Sequence, residues 1–155
     1  MFALRRPCAN CPFKRENGGR FRLSYDRLTE ILTAPAFQCH CTVDYSEDAP
    51  SQGDNPQQCV GWIATLAALG FEPQIVQVGR RMGVFSYDWI EPAFGQVHDH
   101  PVKVLKASMP MADMSQATTT FETATRKRLM ACHAILDYET WISLQDSILC
   151  SSRLT

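Results

Sequence analysis

The sequence has no long hydrophobic run, which argues against a protein that crosses a membrane through an apolar helix. No apolar stretch in its 155 residues approaches the roughly 18 residues that such a helix needs. Residues 1–6 are followed by Pro7 rather than by the apolar core of a secretory signal. We therefore expect a cytoplasmic protein that does not interact with membranes.

Internal repeats and low-complexity tracts are also lacking, which excludes filaments, coiled coils and collagen-like chains. Hydrophobic residues make up 45% of the chain and charged residues 20%, as in ordinary globular proteins and unlike disordered ones. The length predicts a single domain over residues 1–155.

Basic residues are missing from a long internal stretch and are concentrated at the beginning of the chain. Residues 28–79 contain no lysine or arginine, whereas residues 1–27 carry seven basic side chains and two acidic ones. This segment can bind nucleic acid, with Phe13 and Phe21 stacking on bases, or it can neutralise the acidic stretch within one fold. The basic residues of the nucleic-acid interpretation are Arg5, Arg6, Lys14, Arg15, Arg20 and Arg22.

Seven cysteines are present, and five of them lie within the first 59 residues. In a reducing compartment, this density indicates metal binding or catalysis rather than disulfides. Cys8-x2-Cys11 has the spacing at which two thiolates of one turn bind one metal ion. Cys39 and Cys59 complete a predicted four-cysteine site in an N-terminal loop region.

The third ligand of this site is open to alternatives, because His40 and Cys41 follow Cys39 directly. An extended backbone points Cys39 and Cys41 to one side and His40 to the other. All three can therefore bind one ion only around a sharp local bend. Four such ligands suit structural zinc or, as the alternative, a [4Fe–4S] cluster.

Three further groups of cysteine and histidine are predicted to have no metal-binding role. Cys132 and Cys150 lie in apolar helical patterns and are expected to be packing residues. Adjacent helical positions point in different directions, so Cys132 and His133 do not form a pair. His98-Asp99-His100 is predicted to be a surface loop.

Helical periodicity recurs in five segments, so the predicted fold is mainly α, with a small α+β fold as the alternative. Start and stop signals mark the helix ends. The first helix is predicted to begin after Ser24 and to end before Pro35, and the second to begin after Asn55 and to end at Gly70. The third is predicted between Pro73 and Gly83, and a Thr119–Glu122 capping box precedes the fourth. The fifth includes Trp141 and Leu149. Residues 37–43 are predicted to form a short strand.

Several different motifs lie between residues 7 and 88: Pro7-Cys8-x-x-Cys11-Pro12-Phe13-Lys14-Arg15, Phe37-x-Cys39-His40-x-Thr42, Cys59-x-Gly61-Trp62, and a 73–83 helix followed by Tyr87-Asp88. Together they resemble an uncharacterised family of small proteins encoded by phages, prophages and bacteria. The resemblance covers roughly residues 5–90 and leaves 91–155 as a C-terminal helical extension. It implies motif positions at Cys8, Cys11, Cys39, His40 and Cys59, whereas Cys41 departs from the pattern.

Three functions follow from these observations. The first is a phage-type accessory protein with a structural metal site that binds a host protein or nucleoprotein complex, for host takeover or to counter a defence system. The second is a nucleic-acid-binding protein that uses the basic N-terminal segment. The third is an iron–sulfur or cysteine-dependent enzyme. No complete catalytic motif occurs in the sequence, which favours a binding function.

Overall fold

The computed structural model describes residues 1–17, 23–43, 55–100, 103–104, 107 and 124–152, the last seven as backbone only. It is mainly helical, which confirms the predicted fold class. The helices are α1 (Tyr25–Thr33), α2 (Val60–Ala68), α3 (Gln74–Arg81), α4 (Glu91–Phe94), α5 (124–132) and α6 (Tyr138–Ser152). Two strands, β1 (Phe71–Glu72) and β2 (Ala134–Ile135), pair antiparallel with Phe71 opposite Ile135. Short 3-10 turns lie at Arg15–Asn17, His40–Thr42 and Tyr87–Ile90.

Helix α2 is the centre of the fold, because it is apolar on every side. All of its residues from Val60 to Ala67 are buried, and it packs against α4, α6 and β1. The Trp62 indole is fully buried, and its Nε1 donates to Ile31 O at 2.8 Å, which joins α2 to α1. No helix among the described residues combines the length and apolar character needed to cross a bilayer.

Local capping signals determine several helix ends, as the sequence predicts. Ser24 Oγ accepts from Arg27 N at 3.2 Å, and α1 ends shortly before Pro35. Gly70 and Gly83 follow the last residues of α2 and α3 with φ angles of 81° and 68°. Both glycines therefore end their helices in the left-handed conformation.

Two predictions next to the cysteines are wrong. Helix α2 begins at Val60 with Cys59 as its N-cap, and not after Asn55, because backbone groups of the preceding residues bond to distant segments. Residues 37–43 do not form a strand. Gln38 makes an isolated bridge, and the chain then enters the 3-10 turn at His40–Thr42.

Described residues after position 90 contribute to the same core as the N-terminal half. Val97, Leu129 and Leu136 belong to one buried cluster with Phe2 and Phe13. Helix α5 turns positions 125, 129 and 133 toward this core, and position 132 falls beside that face.

The exposure of Cys132 follows from this orientation of α5. Cys132 is exposed, so the prediction that it is a packing residue is wrong. His133 is buried, so the two side chains point in different directions, as predicted. The side chain of Cys150 and the Thr119–Glu122 capping box lie outside the described residues.

Candidate metal centre

The N-terminal loop that carries Cys8 and Cys11 is a tight turn held by hydrogen bonds. Cys11 N donates to Cys8 O, and Lys14 N donates to Cys11 O, both at 3.1 Å. The buried side chain of Asn17 donates from Nδ2 to Ala9 O at 2.7 Å and to Cys11 O at 3.0 Å. The carbonyl groups of the turn are thereby satisfied, and both thiols project from a fixed backbone.

A second turn carries Cys39, His40 and Cys41. The 3-10 turn begins directly after Cys39. Thr42 donates to Cys39 O from both its backbone nitrogen, at 2.8 Å, and its Oγ1, at 2.9 Å. This turn is the sharp bend that three neighbouring ligands require, because it replaces the alternation of an extended strand.

Gln57 fixes the second turn in place. Gln57 O accepts from Cys39 N at 2.7 Å, and Gln57 N donates to Thr42 Oγ1 at 3.0 Å. The buried Gln57 side chain also accepts from Ala3 N through Oε1, at 2.7 Å. The sequence predicts Gln57 in the first turn of a helix, and its partners are too distant along the chain for any local signal to reveal this role.

The two turns bring four ligand atoms together. The thiols of Cys8, Cys39 and Cys41 and an imidazole nitrogen of His40 all lie within 4.8 Å of one another. Cys8 Sγ is 3.9 Å from His40 Nδ1, and Cys41 Sγ is 3.4 Å from His40 Nε2. Cys39 is buried and Cys41 is exposed, so the group reaches the protein surface. We call these four residues the compact set; they can hold a metal ion.

The spacing within the compact set fits tetrahedral coordination. A Zn–S bond of about 2.3 Å places neighbouring sulfurs of a tetrahedron about 3.8 Å apart. The four ligand atoms of the compact set all lie within 4.8 Å of one another, so no pair exceeds this separation by more than about 1 Å. Thiolates and imidazole are ligands that suit zinc and other transition metals, whereas magnesium and calcium prefer oxygen.

Cys11 and Cys59 form a second, buried pair beside the compact set. Their thiols are hydrogen-bonded to each other, and Cys39 is near enough for its charge to affect Cys59. A Cβ atom at Gly61 would collide with Cys11 Sγ, so this close approach requires a glycine. Six potential metal ligands therefore lie next to one another. Five belong to the two turns and one to the N-terminus of α2: Cys8, Cys11, Cys39, His40, Cys41 and Cys59.

Two sets of four ligands can be drawn from these six donors. Both sets include Cys8 and Cys39. The set predicted from the sequence is completed by Cys11 and Cys59, and the compact set is completed by His40 and Cys41. Of the two, the compact set is the one whose ligand atoms are all close enough to hold one ion.

Burial and crowding make most of these thiols weak acids. Burial raises the pKa of Cys8 above its ordinary range, and the neighbouring Cys39 adds to the effect. Burial likewise raises the pKa of Cys39. Contact with the Cys11 thiol, and then burial, raises the pKa of Cys59 well above its usual value. The pKa of Cys11 is lowered because its sulfur accepts from the Cys59 thiol and from two backbone N–H groups.

Metal affinity is therefore expected to depend steeply on pH. Cys8 and Cys39 have raised pKa values, so they hold their protons at neutral pH and must release them when a metal binds. With these two thiol protons displaced, the zinc affinity should rise about a hundredfold between about pH 6 and about pH 7. Competition with a chromophoric chelator at both pH values measures this rise. An affinity that stays constant would contradict binding through thiols.

Three of the basic residues predicted to bind nucleic acid are engaged within the protein. These contacts join Arg5 to the Trp89 ring at 4.3 Å, Lys14 to Glu16 at 2.9 Å, and Arg15 Nε to Val97 O at 2.8 Å. Arg6 is exposed, and Arg20, Arg22 and Phe21 lie outside the described residues. Phe13 is fully buried, so the prediction that it stacks on bases is wrong.

The loop of His98, Asp99 and His100 is partly buried and pairs with the protein itself. His98 N donates to Phe13 O at 2.9 Å, and Asp99 forms an ion pair with Lys103 at 2.6 Å. Burial lowers the pKa of His98. Within the ranges that the structure describes, the compact set is the only group of three or more ligand-type side chains close enough to hold one ion.

Compared with known proteins, the chain matches no family model, no curated protein and no solved structure.

Proposed function

We propose that this protein is a zinc-stabilised binding protein and that its zinc site is structural. The observation that carries the proposal is the compact set, in which two separate turns supply three thiols and one imidazole. Three cysteines and one histidine would form a closed zinc site that leaves no coordination position for a substrate. Zinc bound there supplies a crosslink between the two turns rather than a catalytic group.

Support for a structural role comes from the segments that the site would join. Cys8 and His40 are 32 positions apart, and each lies in an irregular turn rather than in a long helix. Because the unfolded chain has no preformed site, zinc binding to such turns contributes directly to folding stability.

Because a closed structural site takes no substrate, the function belongs to the surfaces that the site stabilises. We therefore propose that the protein acts by binding a macromolecule. The resemblance to small phage and prophage proteins favours a host protein or nucleoprotein complex in a bacterial cytoplasm. Intramolecular contacts of Arg5, Lys14 and Arg15 reduce the basic surface that is free for nucleic acid.

Single substitutions distinguish the two ligand sets. If the compact set binds zinc, Cys41→Ser lowers the zinc affinity by at least about a hundredfold, as expected when one thiolate ligand is lost. Cys59→Ser serves as the comparison and should retain about one zinc per chain. Zinc content and chelator competition measure both variants. The opposite pattern would assign the ion to the four cysteines predicted from the sequence, and no zinc in the wild-type protein would refute the proposed function.

A further inference from the structure

An apolar groove lies on the side of the molecule formed by α5, β2 and the start of α6. It has a volume of about 320 Å³, and its walls include Leu69, Phe71, Leu136 and Trp141. Trp141 packs partly against the core and lies 3.3 Å from the position that a Cβ would occupy on Gly70. The floor of the groove is therefore a fixed part of the fold.

The rim of the groove exposes large apolar side chains. Met130 is 56% exposed, Ile135 68% and Tyr138 73%, although all three line the groove. Methionine and aromatic side chains are enriched in the buried cores of protein–protein interfaces. Large apolar groups gathered around one concave surface are typical of an interaction site, whereas scattered ones need no explanation.

Positive charge lies along the same rim. Arg126 is the charged residue among those that line the groove, and it lies one helical turn before Met130 on α5. Lys127 and Arg128 follow it and are also exposed, but adjacent helical positions point in different directions, so Arg126 is the one of the three that lines the groove. In the described part of the chain, no carboxylate lies within ion-pair distance of these three side chains. Within that part of the chain, the charge of Arg126 is thus available to a partner at the groove.

The nearby acidic side chains are directed to other contacts. Asp137 accepts from Thr140 N at 2.9 Å and lies 3.9 Å from Arg80. Glu139 lines a separate depression together with Arg80. The groove therefore combines an apolar floor with a cationic edge.

From this combination we infer that the groove binds an acidic peptide segment of a partner protein, with apolar side chains as anchors. The anchors occupy the floor near Trp141, and a carboxylate of the segment faces Arg126. A segment of this kind matches both the shape and the charge of the site, and arginine beside aromatic anchors is typical of interface hot spots. The inference rests on the proposed binding function and names its surface.

This inference is tested by selecting peptides that bind the zinc-loaded 155-residue chain from a library of random 12-residue peptides. The enriched peptides should carry a net negative charge and at least two large apolar residues. Their affinity should fall at least about tenfold for Ile135→Asp and for Arg126→Glu.

Matched controls are available at the C-terminal end of α3, among residues that do not line the groove. Met82 is 69% exposed, so Met82→Asp introduces the same charge at a site as open as Ile135, and Arg81→Glu matches Arg126→Glu. Both controls should bind the selected peptides as the wild type does. Chemical shifts of the Met130 methyl group and the Trp141 indole should change on binding, and those of the buried Trp62 should not.

Several outcomes would overturn the inference. They are the absence of enriched peptides, enrichment of neutral or basic ones, and equal binding by Arg126→Glu. A dimer of the wild-type protein that dissociates in Ile135→Asp would assign the groove to self-association instead. Failure of the proposed zinc function is a separate result, because it is measured as zinc content. A zinc-free protein whose groove binds acidic peptides would leave this inference standing.

Discussion

Cys39→Ser is expected to lose zinc and to unfold about 8–16 °C below the wild-type protein. Cys39 is common to both ligand sets and is buried, so its loss opens either site. Zinc at a thousandfold excess over its Kd stabilises the folded state by about 4 kcal/mol. In a chain of this size each kcal/mol corresponds to about 2–4 °C. Thermal unfolding with and without added zinc measures the difference.

The matched control for this experiment is Cys132→Ser, which removes an exposed thiol of α5 outside the cluster. It should keep the zinc content and the unfolding temperature of the wild type. Because Cys39→Ser can fail to fold, a strong chelator applied to the wild-type protein gives a second test. The chelator should lower the unfolding temperature by the same amount, and added zinc should restore it. A protein whose unfolding temperature is unchanged by the chelator would contradict a structural zinc site.

Gly61→Ala is expected to destabilise the protein by about 1–3 kcal/mol and to weaken zinc binding by about 10–100-fold. The new methyl group would collide with Cys11 Sγ and would lie 3.3 Å from Phe13 Cβ. The turn of Cys8 and Cys11 must then shift, and the shift displaces Cys8 from the other ligands. Alanine favours a helix over glycine by about 1 kcal/mol, so a net loss of stability shows that the contact dominates. Chemical denaturation and chelator competition measure the two effects.

Gly79→Ala is the matched control, since Gly79 is a helical glycine with equally close neighbours. A Cβ there would lie 2.7 Å from the Phe2 ring and 3.1 Å from Phe85 Cβ, with no cysteine among its nearest neighbours. We expect Gly79→Ala to lower stability and to leave the zinc affinity unchanged. Equal loss of zinc affinity in both variants would show that Gly61 acts through overall stability alone.

The parts of the fold that the sequence predicts correctly depend on local chemistry. Ser24 caps α1 through a side chain three residues from its donor, and Gly70 ends α2 through its own φ angle. The apolar pattern of α2 likewise determines its burial without reference to any distant residue. Signals of this kind lie within one or two helical turns, so they can be recognised from the sequence.

The parts that the sequence predicts wrongly depend on distant contacts. Asn55 and the residues after it have the composition of a helix start, but Gln57 instead pairs with Cys39 and Thr42. The same contacts convert a predicted strand into the turn in which His40 lies beside Cys8. Spacing alone therefore predicts a metal-binding cluster of cysteines, whereas the neighbours of each candidate ligand become evident only in the folded chain.

Metal analysis of anaerobically purified protein, together with its absorption spectrum, tests the central claim most directly. A structural zinc site predicts about one zinc per chain and no visible absorption band. Folded protein without metal would contradict the claim. Iron and sulfide with a broad visible band would also contradict it, and would assign the cysteines to an iron–sulfur cluster.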